Sequence, residues 1–143
     1  MRMALRALAA TAAGLALLAS AGCAGRANAQ RGSAGQSRTV DVQMRFSKFE
    51  PATLTVPAGR PIRFVIHNAD FIDHEFIVGD DDVQRRHQTG TEPHHDAIPT
   101  EVDVPAGATV ETVVTFPRRT TLTYVCHAPG HREYGMVGTL NVR

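Results

Sequence analysis

Three side chains that bind soft metal ions follow one another near the C-terminus of this 143-residue chain. Cys126, His131 and Met136 are spaced five residues apart. Their side chains offer a thiolate, an imidazole and a thioether. Pro129 and Gly130 exclude a regular helix, so a loop must join the flanking strands and can turn all three donors onto one centre. Sulfur beside imidazole suits copper, whose trigonal sites take two histidines, a cysteine and a distant axial methionine. The pattern therefore predicts a copper site that needs one more histidine.

The additional histidine has several candidates, and the sequence around them narrows the choice. They are His67, His74, His87, His94, His95 and His127. His67 lies in an alternating run whose apolar members face inward, so its side chain should point outward. His74 fits best, because it follows a polar turn at 68–73 and opens an apolar strand, from whose end it can project toward Cys126. His127 directly follows Cys126 and should point away from the site, so we expect it on the surface.

The elements that must position these residues are short strands separated by turns. From residue 39 apolar and polar residues alternate, as in a strand with one buried face. Further runs rich in β-branched or aromatic residues are 53–56, 62–67, 75–78, 101–104, 110–116, 120–126 and 136–142. The sequence Val-Pro-Ala-Gly occurs at 56–59 and again at 104–107, which predicts two similar turns.

This arrangement of strands predicts the fold class. Seven or eight short strands in about a hundred residues indicate an all-β protein, a Greek-key antiparallel β-sandwich, with a barrel as the less favoured alternative. The exception is the connection at 80–100, whose aspartates could cap a short helix at about 81–88 before a loop that contains proline and histidine. A connection of this length usually has a function or is mobile.

With these residues the chain resembles the cupredoxins, the type 1 copper proteins that include plastocyanin and azurin. The resemblance covers about residues 38–143. Its motifs are His-Glu-Phe at 74–76, Tyr-Val-Cys at 124–126, Pro-Gly-His at 129–131 and Gly-Met-Val-Gly at 135–138. The spacing Cys-x4-His-x4-Met looks most like the rusticyanin-type ligand loop. The resemblance implies a cupredoxin-like sandwich with four copper ligands, the equatorial His74, Cys126 and His131 and the axial Met136.

Two features depart from the family pattern. Glu75 directly follows His74, where many members carry a small or amide residue. Its carboxylate could lower the reduction potential or replace the thioether as a ligand, or it could face outward into solvent. The insertion with His87, His94 and His95 also lies outside the minimal pattern. These histidines could bind a second metal, but exposed loop histidines are more often simply polar.

The first residues of the chain have the order of a targeting signal. Arg2 and Arg6 precede a stretch of alanine and leucine that ends in small residues. This order is typical of segments that enter a translocation channel and are then cleaved. Residues 1–29 are therefore predicted to be a signal peptide cleaved before Gln30, and the protein is expected in the periplasm or at the cell surface.

A second cleavage point competes with the first. The sequence Ser-Ala-Gly-Cys at 20–23 resembles a lipoprotein box, in which case residues 1–22 are the signal and a lipidated Cys23 tethers the protein to a membrane. Residues 30–38 contain no large apolar side chain and are expected to form a flexible tether. Residues 39–143 form the predicted copper-binding domain.

Composition limits the functions open to the chain. Fifteen Lys+Arg against 14 Asp+Glu give a formal net charge of +1, which offers no basic surface for nucleic acid. Two cysteines can close at most one disulfide, so aliphatic and Phe side chains must build the core. Cys126 is the lone thiol once Cys23 is lipidated or removed, and such a thiol is either inert in the core or a metal ligand.

The leading functional hypothesis is a monomeric electron carrier with one copper ion. Copper in this donor set changes between Cu(I) and Cu(II) with little change in geometry, and no open coordination position is expected, so the protein should not be an enzyme. The resemblance places the His131 ring edge beside an apolar patch at 128–130, where redox proteins would dock transiently. The alternative is a copper-binding module for buffering, tolerance or delivery. Zinc on the cysteine and two histidines is a third, weaker option.

Overall fold

The computed structural model describes residues 37–88, 95 and 98–143, and the expected signal sequences therefore lie outside the described residues, as does nearly all of the tether. The described elements are β1 (Arg38–Met44), β2 (Phe49–Glu50), β3 (Thr53–Val56), β4 (Pro61–Asn68), β5 (His74–Gly79), α1 (Asp81–Gln88), β6 (Glu101–Val104), β7 (Thr109–Thr115), β8 (Thr120–Val125) and β9 (Val137–Val142). Among these residues no helix has both the length and the apolar character that a membrane span requires.

The strands form two sheets that share one core. One sheet has the order β2-β1-β4-β7 and the other has the order β3-β9-β8-β5-β6. The predicted all-β sandwich is confirmed. Its sheets are mixed rather than purely antiparallel, because β1 pairs with β4 and β3 pairs with β9 in parallel. Between β1 and β4 the chain crosses to the other sheet as β3, and a crossover of this kind permits parallel pairing.

The core lies between the sheets and follows the alternation seen in the sequence. In β1 the side chains of Val40, Val42 and Met44 are buried, whereas the residues between them are exposed. Aromatic rings link the two sheets, since Phe64 of β4 packs against Phe76 of β5 with their ring centroids 5.5 Å apart. Because a shift of one residue would expose every buried side chain, this core fixes which face each strand presents.

The turns and the helix also agree with the sequence. Gly59 and Gly107, which end the two Val-Pro-Ala-Gly turns, both have a φ of 69°, a left-handed conformation that glycine adopts without strain. Helix α1 has the predicted bounds. The Asp80 carboxylate accepts hydrogen bonds from the backbone N–H groups of Asp82 and Val83 and so caps the first turn. The two-residue strand β2 was not predicted, because two residues show no period.

Candidate metal centre

The predicted ligands meet at one end of the sheet that contains β5, β8 and β9. His74 is the first residue of β5, Cys126 follows β8, and Met136 precedes β9. Both β5 and β9 run antiparallel to β8. The start of β5, the end of β8 and the start of β9 therefore lie at the same end of the sheet. His131 is carried by the loop between β8 and β9, so strand topology brings the four residues together.

The donor atoms of His74, Cys126 and His131 lie close to one another. The two histidine Nδ1 atoms are 3.1 Å apart, and Cys126 Sγ lies 3.3 Å from His131 Nδ1 and 3.8 Å from His74 Nδ1. Bonds of about 2.0–2.3 Å to one central ion produce donor separations of this size. His74 is 1% exposed and Cys126 is 0% exposed, so both donors are shielded from water. The three residues therefore fit a metal ion.

Met136 is held next to these ligands by the backbone. Its N–H donates to the carbonyl of His131 at 2.9 Å, and its own carbonyl accepts from the N–H of Cys126 at 3.2 Å. The side chain is fully buried in the same core cluster as Cys126. Backbone hydrogen bonds thus fix Met136 beside both loop ligands, and its buried side chain is the available thioether.

Turns hold the ligand loop in shape. The N–H of His131 donates to the carbonyl of Ala128 at 3.0 Å, and the N–H of Gly135 donates to the carbonyl of Arg132 at 2.9 Å. Gly135 has a φ of 83°, and a Cβ added there would lie 2.9 Å from Lys48 Nζ. A side chain at this position would therefore meet both backbone strain and a close neighbour.

Asp70 orients the imidazole of His74. Its Oδ2 lies 2.9 Å from His74 Nε2 and must accept, so Nε2 carries the hydrogen and Nδ1 keeps a lone pair toward Cys126. The carboxylate also accepts from the backbone N–H groups of Phe46 and Ser47. Burial raises the pKa of Asp70, but these hydrogen bonds together outweigh it and hold the pKa below its usual value. A carboxylate–histidine pair of this kind fixes a metal-binding ring and its tautomer.

The role of Asp70 was not predicted from the sequence. The available signal was an aspartate four residues before the histidine within a polar turn. The turn itself is fixed by Asn68, whose Nδ2 donates to the carbonyls of Ile72 and Val104 and whose Oδ1 accepts from the N–H of Asp70. The buried amide of Asn68 thus positions the carboxylate of Asp70, which in turn positions the ring of His74.

The protonation states of the site suit a cation. Burial raises the pKa of the Cys126 thiol to about 11, while the N–H of Glu75 donates to Sγ at 3.3 Å and favours the thiolate. Burial, followed by the charge of His74, lowers the pKa of His131, which keeps its ring neutral. A bound metal cation removes the thiol proton, because a coordinating cysteine is deprotonated.

The carboxylate of Glu75 lies away from this group of donors. Its Oε2 accepts a hydrogen bond from the backbone N–H of His127 at 2.9 Å. Its carboxylate also lies within 4.8 Å of donor atoms of His95 and Asp103. The structure therefore places Glu75 beside His95 of the insertion, half-buried rather than fully solvated.

His127 does not lie on the open surface, and the expectation that it would was wrong. It is half-buried, with its Nε2 2.8 Å from Gln84 Oε1 and its ring 5.6 Å from the ring of His87. Burial, followed by the charges of His87 and Arg132, lowers its pKa to about 4. As the alternation predicts, the side chain of His127 points away from that of Cys126. Helix α1 covers the face on which His127 lies.

The insertion histidines also differ from the expectation of an exposed loop. His87 is 9% exposed and His95 is 7% exposed, and their ring centroids are 5.0 Å apart. With Glu101 they form a second group of metal-binding atoms within 4.8 Å of one another. His94 lies outside the described residues. The sequence could not show this burial, because it depends on α1 packing over the sheet.

Comparisons with known proteins agree with this architecture. The family model described as "Cupredoxin-like domain" matches residues 8–127. A protein named "Copper-resistant cuproprotein CopI" from Rubrivivax gelatinosus is 40% identical over 110 residues, which cover 74% of this chain and 67% of that protein. The family match thus includes His74 and Cys126 and ends before His131.

Solved structures show the same fold. Auracyanin B has a TM-score of 0.62 at 27% identity, over 74% of this chain and 88% of that chain. Reduced rusticyanin has a TM-score of 0.53 at 23% identity, over 76% of this chain and 81% of that chain. At that identity the likeness to rusticyanin shows the fold alone.

Proposed function

This chain belongs to the cupredoxin-like family, and from this premise we propose that it binds one copper ion through His74, Cys126, His131 and Met136. The observation that carries the proposal is the position of two imidazole nitrogens 3.3 and 3.8 Å from one buried thiol sulfur. A thiolate and two imidazoles with a distant thioether form the donor set of type 1 copper sites. Copper bound there would supply a one-electron couple between Cu(I) and Cu(II).

The residues around the ligands support a site that is already shaped for the ion. Asp70 fixes the ring of His74, and the N–H of Glu75 donates to the sulfur of Cys126. Both ligands are fully buried, which limits the access of water from the core side. Such a site needs little rearrangement when the ion is bound or changes its oxidation state.

We propose copper tolerance outside the cytoplasm as the role of this site. The relative that is 40% identical carries the name of a copper-resistant cuproprotein. The basic and apolar order of residues 1–29 supports export, and an exported copper protein would meet copper before it enters the cell. The protein would act as a monomer. Four protein ligands would leave no open coordination position on copper for a substrate.

Electron transfer is the second candidate role, and it is supported by the buried site and the surface near His131. Pro129 and Gly130 are exposed, and His131 is half-buried. The ring of Tyr134, which is 73% exposed, lies beside Gly130, since a Cβ added to Gly130 would be 3.5 Å from that ring. Such a small, partly apolar surface would suit brief docking of a redox protein.

Titration of the metal-free protein with Cu(II) tests the copper site. We expect one equivalent to produce an intense visible band and an electron paramagnetic resonance signal with narrow parallel hyperfine splitting, because the thiolate shares electron density with copper. A colourless complex would overturn the proposal. Growth of a deletion strain on copper, compared with electron exchange between the copper protein and a small cytochrome, then separates tolerance from electron transfer.

A further inference from the structure

A second group of metal-binding side chains lies outside the proposed copper site. His87 stands in the last turn of α1, His95 in the following connection, and Glu101 at the start of β6. All three are buried, at 9%, 7% and 5% exposure, and one donor atom from each lies within 4.8 Å of the others. Three separate segments therefore bring two imidazoles and a carboxylate to one buried point.

Hydrogen bonds hold both histidines in the tautomer that metal binding needs. His87 Nδ1 lies 2.9 Å from the carbonyl oxygen of Val83, which can only accept, so Nδ1 carries the hydrogen. His95 Nδ1 lies 2.9 Å from Asp103 Oδ1, a carboxylate oxygen that accepts, so this Nδ1 also carries the hydrogen. With the hydrogen on Nδ1, each imidazole can offer the lone pair of Nε2 to a metal ion. Partners of this type orient the ligating histidines of metal sites.

The two Nε2 atoms face the interior of the group. His87 Nε2 lies 3.2 Å from Glu101 Oε2. Two donor atoms that each bind one tetrahedral ion at about 2.0–2.2 Å have a separation close to that between His87 Nε2 and Glu101 Oε2. His95 Nε2 is buried and has no hydrogen-bond partner among the described residues. A buried polar atom without a partner is costly, and a metal ion would satisfy it.

The charge around the group favours a cation. Glu101 is a buried carboxylate, and the carboxylates of Glu75 and Asp103 lie within 4.8 Å of His95. Buried carboxylates need a positive partner, which a divalent ion would provide. A cavity of about 380 Å³ is lined by His95, Glu101 and Asp103 and therefore borders the group.

We propose that His87, His95 and Glu101 form a second metal site for a divalent ion of the Zn²⁺ or Cu²⁺ class. Two imidazoles and a carboxylate contain no sulfur, so this set favours divalent ions over Cu(I), in contrast to the site at Cys126. His127 does not belong to this group of donor atoms within 4.8 Å of one another, and its Nε2 lies 2.8 Å from Gln84 Oε1. The proposal of this site does not rest on the proposed copper function.

Metal counting on the full chain tests the proposal. Protein that already holds one equivalent of copper is dialysed against Zn²⁺, and both metals are measured. We expect one bound Zn²⁺ in addition to copper, a higher thermal midpoint with Zn²⁺, and an unchanged visible band. Absence of bound Zn²⁺ and of the thermal shift would overturn the proposal, even if the copper band is intact.

Variants then assign the ligands. We expect His87→Gln/His95→Gln to weaken Zn²⁺ binding by more than about 100-fold, since loss of an outer partner alone typically costs 10–100-fold. Glu101→Gln, which keeps the side-chain volume, should weaken it in the same direction. His67→Gln is the matched control, because its ring contacts Thr109 on the other sheet, and it should bind Zn²⁺ like the wild type. Equal affinity in all variants would overturn the assignment.

A second arm uses Cu²⁺ and distinguishes the two ions. Excess Cu²⁺ should add a weakly coloured signal with wide hyperfine splitting, as expected for nitrogen and oxygen ligands. Because Cu²⁺ binds nitrogen and oxygen donors more tightly than Zn²⁺, excess Cu²⁺ should release the bound Zn²⁺ if both ions use this site. A second copper signal that persists in His87→Gln/His95→Gln would place the additional copper elsewhere and contradict the proposal.

Discussion

The Nε2 of His74 lies 2.9 Å from Asp70 Oδ2, on the side of the ring opposite the Nδ1 that faces Cys126. The carboxylate therefore acts on the metal site without contacting the position of the ion. For Asp70→Asn we expect copper affinity to fall by about 10–100-fold while the visible band remains, because the ring loses its charged partner but keeps its donor atom. Competition with a copper chelator measures the change.

Asp73→Asn is the matched control for this prediction. Asp73 belongs to the same turn, but its Oδ1 accepts from the backbone N–H of Ala106 rather than from a ligand. Its replacement should leave copper affinity unchanged. An equal loss in both variants would show that the effect comes from the turn and not from the contact with His74.

Cys126→Ser should abolish the intense visible band. The hydroxyl oxygen of serine is a hard donor with a high pKa, so it cannot replace the thiolate that shares electron density with copper. Some copper could still bind to the two histidines, so absorption and electron paramagnetic resonance should be recorded together. Colour retained after this substitution would refute the ligand assignment.

Met136→Leu should keep the visible band and raise the reduction potential. Leucine fills a similar volume but offers no thioether, and loss of that axial donor destabilises Cu(II) relative to Cu(I). Voltammetry of the copper protein measures the change. Met44→Leu is a matched control, since Met44 is equally buried on β1. Equal potentials in the wild type and both variants would make Met136 an ordinary core residue.

Copper affinity should weaken as the pH falls. Burial raises the pKa of the Cys126 thiol to about 11, so the metal-free protein holds the thiol proton at neutral pH and must release it on binding. The lowered pKa of His131 keeps that ring neutral there, so one proton is released. Apparent affinity should then fall roughly tenfold per pH unit below the thiol pKa, and chelator competition at pH 7, 8 and 9 measures the slope. A slope of zero would contradict thiolate binding.

The ligand loop and the strands could be predicted because their signals are local. The interval from Cys126 to Met136 is visible in the sequence, and period-two alternation identifies the buried faces of the strands. The bounds of α1 follow from an aspartate that caps its first turn. The position of His74 could also be predicted. It requires only that the strand that starts at His74 begin at the end of the sheet where the strand before Cys126 ends.

The remaining features depend on packing between segments that are distant in sequence. Asp70 shows its role only when its carboxylate meets both His74 and the backbone of Phe46 and Ser47. The burial of His87 and His127 depends on α1 lying over β5 and β8, where Gln84 bonds to carbonyls of both strands. No periodicity within α1 or the loop encodes which sheet face the helix covers.

The alternation at the ends of β5 and β8 has an electrostatic consequence. The donor atoms of His74 and Cys126 face each other, whereas the next residue of each pair faces the insertion, Glu75 toward His95 and His127 toward His87. The two groups of donor atoms therefore lie on opposite sides of the backbone layer that these residues form. A divalent ion behind this layer would favour the less positive Cu(I) state, so zinc availability would tune the copper potential.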